Sequence, residues 1–156
     1  MKKLLLSAVF LLPSLAMAEE FKLAFPVDCD PNQNCNIQNY FDHDPTPDRK
    51  DYTCGRLSYD GHDGTDIRIP DEVFQAGSFD VKAAAAGTVV GTRDGEPDVN
   101  IRIRGNAALN GKDCGNGLGI KSAGGYKVQY CHMKRGSLKV KTGDVVEVGQ
   151  VLGKVG

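Results

Sequence analysis

An excess of either charge is missing from this chain: 19 Lys and Arg stand against 20 Asp and Glu, a net charge of −1 over 156 residues. The basic residues are scattered rather than clustered, so there is no electrostatic case for nucleic acid. Helical periodicity is nearly absent as well. Tryptophan does not occur, whereas glycine occurs 19 times and Val, Ile, Thr and Tyr recur in short runs. That balance favours an all-β domain with many turns. The only long apolar run, Leu4 to Leu15, is too short to span a bilayer comfortably. The five cysteines include no Cys-x-x-Cys spacing, which argues against a zinc–thiolate site. Histidine is scarce, with three in all, so the settings in which they occur carry information.

What is present divides the chain into three parts. Residues 1–18 read as a secretory signal: Lys2 and Lys3 form a basic start, Leu4 to Leu15 an apolar centre, and Ala16-Met17-Ala18 a small-residue cleavage site. A retained membrane anchor is the other reading of this stretch. Export, to a bacterial periplasm or exterior, permits disulfides. Residues 19–58 are rich in Asp, Asn and Pro and read as an irregular, disulfide-tethered arm, with Cys29–Cys35 as the shortest-loop bridge available to Cys29, Cys35 and Cys54. Residues 59–156 read as the β domain, with Cys114 and Cys131 flanking a hairpin whose turn is Ala123-Gly124-Gly125. These two cysteines fall nearly opposite each other and form the preferred bridge.

Within that domain strand signals come in quick succession. Thr65–Ile69 alternates and ends at Pro70, Phe79–Ala83 alternates into the small run Ala84-Ala85-Ala86, and Gly87–Thr92 is β-branched. Val99–Arg104 alternates with Val99, Ile101 and Ile103 on one face. Leu118–Ser122 and Lys127–His132 form one expected hairpin. Leu138–Lys141 and Val145–Val148, around Thr142-Gly143-Asp144, form another. Val151–Val155 is a last strand.

Two short segments carry the chemistry. In Gly61-His62-Asp63-Gly64-Thr65-Asp66 an imidazole and a carboxylate lie four residues apart. Fully extended, they would be separated by roughly 13 Å, yet the ligands of one zinc stand within about 2.2 Å of it. The segment must fold back, and Gly61 and Gly64 are the residues expected to permit the bend. In Tyr126–Met133, alternation places Tyr130 and His132 on one strand face. His43, between two aspartates in a proline-rich stretch, reads as a solvated loop histidine.

Four motifs in order resemble the lysostaphin/LytM-type zinc endopeptidases, which cut the peptide bridges of bacterial cell walls. They are His62-x-Gly64-x-Asp66, the strand Ala84-Ala85-Ala86-Gly87-Thr88-Val89, Tyr130-x-His132-Met133, and the tail from Val140 to Gly153 with its spaced Val and Gly residues. The resemblance covers about Tyr59 to Gly156. It implies an antiparallel all-β (duplicated hybrid motif) fold, His62 and Asp66 as two zinc ligands, His132 as a catalytic histidine beside the metal, and the peptide part of peptidoglycan as substrate. The family's His-x-His motif, which supplies a third ligand and a second catalytic histidine, is not found, since no histidine follows His132. The chain is then expected to be either a piece of a longer enzyme or a naturally shortened, inactive relative, and the strand-like sequence at its end favours the piece. A non-catalytic relative that binds wall or activates another hydrolase is the alternative. Residues 139–156 also resemble half of a biotinyl/lipoyl carrier domain, but Arg135 stands where the carrier motif wants Met or Ala.

Overall fold

The computed structural model describes residues 20–105 and 111–156. The expected signal segment, 1–18, lies outside the described residues. Among the described residues the chain is all-β in character, with eight short strands in antiparallel sheets and three short helical turns.

The principal sheet has four strands in the order β6-β5-β4-β7, built from β4 (Gly87–Arg93), β5 (Gly117–Ser122), β6 (Lys127–Tyr130) and β7 (Val145–Val146). The β5–β6 hairpin forms as its sequence dictates, with Leu118 opposite Tyr130 and Lys121 opposite Lys127. The Cys114–Cys131 disulfide closes its open end. A second sheet pairs β3 (Asp80–Lys82) with β8 (Val151–Lys154). The arm runs along β3, where Lys82 N donates to Pro26 O (2.7 Å), Asp28 N donates to Asp80 O (2.9 Å) and Val27 bridges Val81. Strands from both sheets meet in one apolar core of Val81, Ala83, Val89, Leu118, Ile120, Tyr130, Met133, Val146 and Leu152. The Tyr130 hydroxyl is satisfied inside it by accepting from Ala84 N (2.8 Å).

The third sheet positions the site. It pairs β1 (Asn36–Asn39), from the arm, with β2 (Asp66–Arg68). None of its residues belongs to the apolar core. Buried carboxylates organise this part of the chain instead. Asp51 accepts from the backbone N–H groups of Thr53, Gly55 and Leu57 and from the Thr53 hydroxyl. Asp42 accepts from the N–H groups of Asp44, Lys50 and Gly61. Donors converging on a carboxylate stabilise its ionised form. The Thr53 hydroxyl and the surrounding N–H groups hold Asp51 at about 2, and the N–H groups of Lys50 and Asp44 lower Asp42. The Cys29–Cys35 bridge tethers the arm as expected, and Cys54 is free and exposed.

Three expectations from the sequence are corrected. Val99–Arg104 is not a strand: Ile101–Arg104 forms a helical turn, α2, whose first turn is capped by Asn100 Oδ1 accepting from Arg102 N (2.9 Å). Among the described residues no strand pairs with it, and Ile103 is 82% exposed. The hairpin of Leu138–Lys141 with Val145–Val148 is also not formed. Asp144 closes a tight turn by accepting from Lys141 N (2.9 Å), and Val145 and Val146 pair with Thr88 and Gly87 of β4. Lys139 N donates instead to Leu152 O (2.9 Å). Finally, His132 does not share a face with Tyr130. It falls beyond β6 with φ at 55°, so the alternation stops and the imidazole is exposed while Tyr130 is buried. One further helical turn, α1 (Asp71–Gln75), lies between β2 and β3.

Candidate metal-binding site

His62 sits on the tight loop that leads into β2. Its N–H donates to Tyr59 O (3.0 Å), its carbonyl accepts from Asp42 N (2.8 Å), and the preceding Gly61 N–H is held by Asp42 Oδ2 (3.0 Å). Gly61 has φ of 72°, a left-handed conformation that a side chain would strain. Gly64 does not share this role. Its φ is not left-handed, and a Cβ at that position would stand 4.0 Å from His62 Nε2. The bend therefore falls on Gly61.

The imidazole of His62 is 6% exposed. Its Nδ1 lies 2.8 Å from the carbonyl oxygen of Tyr40. A carbonyl only accepts, so Nδ1 carries the hydrogen and Nε2 of the neutral ring presents its lone pair. That lone pair faces Asp66 Oδ1 at 3.3 Å, and the other carboxylate oxygen, Oδ2, accepts from Asn39 Nδ2 at 2.9 Å. The Tyr59 ring covers one face of the imidazole, with centroids 4.3 Å apart. Burial, followed by the carboxylates of Asp66 and Asp63, pushes the Tyr59 hydroxyl above its ordinary value.

This arrangement has a simple electrostatic consequence. A neutral imidazole nitrogen and a carboxylate oxygen are both acceptors, and nothing but a proton or a cation between them makes their approach favourable. Two ligands of a tetrahedral zinc, each about 2.0–2.2 Å from the metal, stand about 3.4 Å apart. The 3.3 Å separation of Nε2 and Oδ1 matches that edge. The distal atom of each group is held by a partner, as metal ligands commonly are. The donor set therefore fits zinc, as two of its ligands. No group of three or more His, Cys, Asp or Glu side chains able to hold an ion occurs among the described residues.

The other two histidines stand elsewhere. His43 is exposed in the arm, its ring 4.9 Å from that of Phe41. His132 donates its N–H to Cys114 O and accepts at its carbonyl from Gly156 N, both at 2.8 Å. Its side chain lines a cavity of about 640 Å³ together with Phe74, Pro97, Asn116 and Met133. Neither His62 nor Asp66 is among the described residues lining that cavity. The structure thus brings His62 and Asp66 together and places His132 in a hollow that they do not share.

Asn39, Tyr40, Asp42 and Tyr59 were not legible as site residues from the sequence. Tyr40 acts through its backbone, which no residue type reveals, and Asn39 and Asp42 lie in a stretch whose composition reads as loop.

A comparison with curated proteins finds no match, and neither does a comparison with solved structures. A family model described as peptidase family M23 matches residues 60–156, the span that holds His62, Asp66 and His132. Over more than half of its length, this chain belongs to peptidase family M23.

Proposed function

We propose that this chain is a zinc-dependent endopeptidase module directed at the peptide cross-links of bacterial peptidoglycan, with His62 and Asp66 as two metal ligands and His132 as the catalytic histidine. Family membership supports the class, a metallopeptidase of the peptidoglycan-hydrolase type. The observation that carries the assignment of residues is the 3.3 Å approach of His62 Nε2 to Asp66 Oδ1, with Nδ1 already committed to Tyr40.

Zinc bound there would supply Lewis acidity, acidifying water and polarising the scissile carbonyl. The protein's own groups do the rest. The buried ring of His62 offers one lone pair in a fixed direction. Asp66, its side chain 39% exposed, turns Oδ1 toward His62 Nε2 while Asn39 holds Oδ2. Family membership supports the proton-exchanging role for His132, which would have to reach the metal site from a hollow that His62 and Asp66 do not line. The basic and apolar start of the chain supports export to the compartment that contains the wall. No helix among the described residues is long and apolar enough to cross a membrane.

The 156 residues hold no histidine after His132. A catalytic zinc normally has three protein ligands, so this polypeptide by itself is expected to bind zinc weakly and not to hydrolyse wall. A second reading, a non-catalytic relative that binds wall or activates another hydrolase, is favoured by the lack of a three-ligand group among the described residues. Zinc titration separates the two. On the enzyme reading, His62→Ala and Asp66→Ala abolish zinc binding, whereas His132→Ala leaves it unchanged. In a version carrying a His-x-His strand, all three variants lose lysis of purified peptidoglycan. Retained zinc binding by His62→Ala would refute the site. Unchanged co-sedimentation with peptidoglycan in the absence of zinc, with no zinc bound by the parent, would favour the second reading.

A further inference from the structure

We infer that Asn39–Asp42, a segment outside the span matched by the family model, is the positioning half of the metal site and selects which atom of each ligand meets the cation. The inference rests on the zinc reading for its ligand, but its geometry stands on hydrogen bonds alone.

Each ligand of the pair has two atoms that could face a metal. An imidazole offers Nδ1 or Nε2, and the nitrogen that is left bare is set by what the other one bonds. A carboxylate likewise offers either oxygen. Here the unused atom of each group is taken by neighbouring arm residues: Tyr40 O holds His62 Nδ1 at 2.8 Å, and Asn39 Nδ2 holds Asp66 Oδ2 at 2.9 Å. Among the described residues, no hydrogen-bond partner from 60–156 meets either atom.

The register of β1 against β2 shows how Asn39 arrives there. Asn36 lies opposite Arg68 and Ile37 opposite Ile67, so an unbroken ladder would put Gln38 opposite Asp66. The register shifts between Ile37 and Asn39, and Asn39 takes that place. An extra residue of this kind re-aims the side chain that follows it. It also sets the Tyr40 carbonyl against the imidazole. Asp42 completes the hold by accepting from Gly61 N and donating its own N–H to His62 O. The arm therefore grips both the side chain and the backbone of the first ligand, and the side chain of the second.

The test is a Zn²⁺ titration of the whole chain at pH 8, followed in a long-range ¹⁵N–¹H spectrum of the imidazoles. Before metal is added, His62 should show the tautomer with hydrogen on Nδ1, and Zn²⁺ should shift Nε2. Asn39→Ala should weaken Zn²⁺ binding about 10- to 100-fold, the range for loss of a ligand's outer partner, while β1 amide signals and the His62 tautomer stay as in the parent. Two results would overturn the inference: a parent His62 with hydrogen on Nε2, or an Asn39→Ala variant that binds Zn²⁺ as tightly as the parent while His62→Ala does not bind. A parent that takes up no Zn²⁺ sinks the metal reading, and the tautomer of His62 then decides the arm's role by itself.

Discussion

Replacing Cys114 and Cys131 together by Ser, in a Cys54→Ser background that leaves no free thiol to exchange, isolates what one disulfide does for this domain. The bridge spans a sequence separation of 17. In the chain-entropy description, closing a loop of that size in the unfolded ensemble removes entropy equivalent to about 3 kcal/mol at 25 °C. The Cys29–Cys35 bridge spans only 6, for which the same relation gives about 2 kcal/mol. The native state should change little on losing the first bridge. The β5–β6 ladder keeps its pairs from Leu118–Tyr130 to Lys121–Lys127, and His132 N still has Cys114 O within 2.8 Å. Urea unfolding of the two double-serine variants, followed by circular dichroism, should therefore rank them in that order, with the Cys114/Cys131 pair about 1 kcal/mol the more costly. A Cys114/Cys131 variant as stable as its background, or a reversed order, would refute the view that these bridges act mainly by constraining the unfolded chain.

Two further perturbations follow from the arm and its loop. Asp51 is held at about 2 by the Thr53 hydroxyl and adjacent N–H groups, and Glu96 is held at about 2 by Lys112 and Arg104. Unfolded carboxyls take up protons near pH 4, before these folded ones do, so the stabilisation is present above about pH 4 and is lost as pH falls toward 2. The urea midpoint should decline across that window, and Asp51→Asn should flatten part of the decline; a variant with the parent's full pH slope would contradict the assignment. Gly61→Ala meets no steric obstacle, since nothing lies within 4 Å of the added Cβ. Its left-handed φ should still cost about 1 kcal/mol, and an unchanged urea midpoint would show that the loop relaxes freely.

Where a residue's partner lies nearby in sequence, the pattern was readable. The β5–β6 hairpin and both disulfides follow from alternation, turn residues and cysteine placement. Val99–Arg104 alternates as well as any of these, yet forms α2. Alternation records a capacity to pair and says nothing of whether a neighbouring strand is there to be paired with. The Val145–Val146 pair makes the same point in another way. Thr142-Gly143-Asp144 marks its turn, but its partner is β4, whose Val89 donates to Asp144 O and accepts from Gly143 N. Distance along the chain, rather than any weakness of the local signal, is what hid that pairing.

The site divides along the same line. His62 and Asp66 could be nominated because few residue types ligate zinc and a single turn relates them. The groups that orient them could not, because orientation is a property of the neighbour. A peptide carbonyl at Tyr40 is chemically identical to every other carbonyl in the chain, and only its placement 2.8 Å from Nδ1 gives it a role. Asn39 reaches Asp66 through one extra residue in a short antiparallel ladder, a displacement that leaves no trace in composition or period. His132 shows the limit from the other side. Its motif is present, but a left-handed backbone at the histidine itself turns the ring away from the face that strand alternation assigns it. Candidate ligands can thus be nominated from side-chain chemistry, whereas the hydrogen bonds that meet His62 Nδ1 and Asp66 Oδ2 come from backbone register more than twenty residues away.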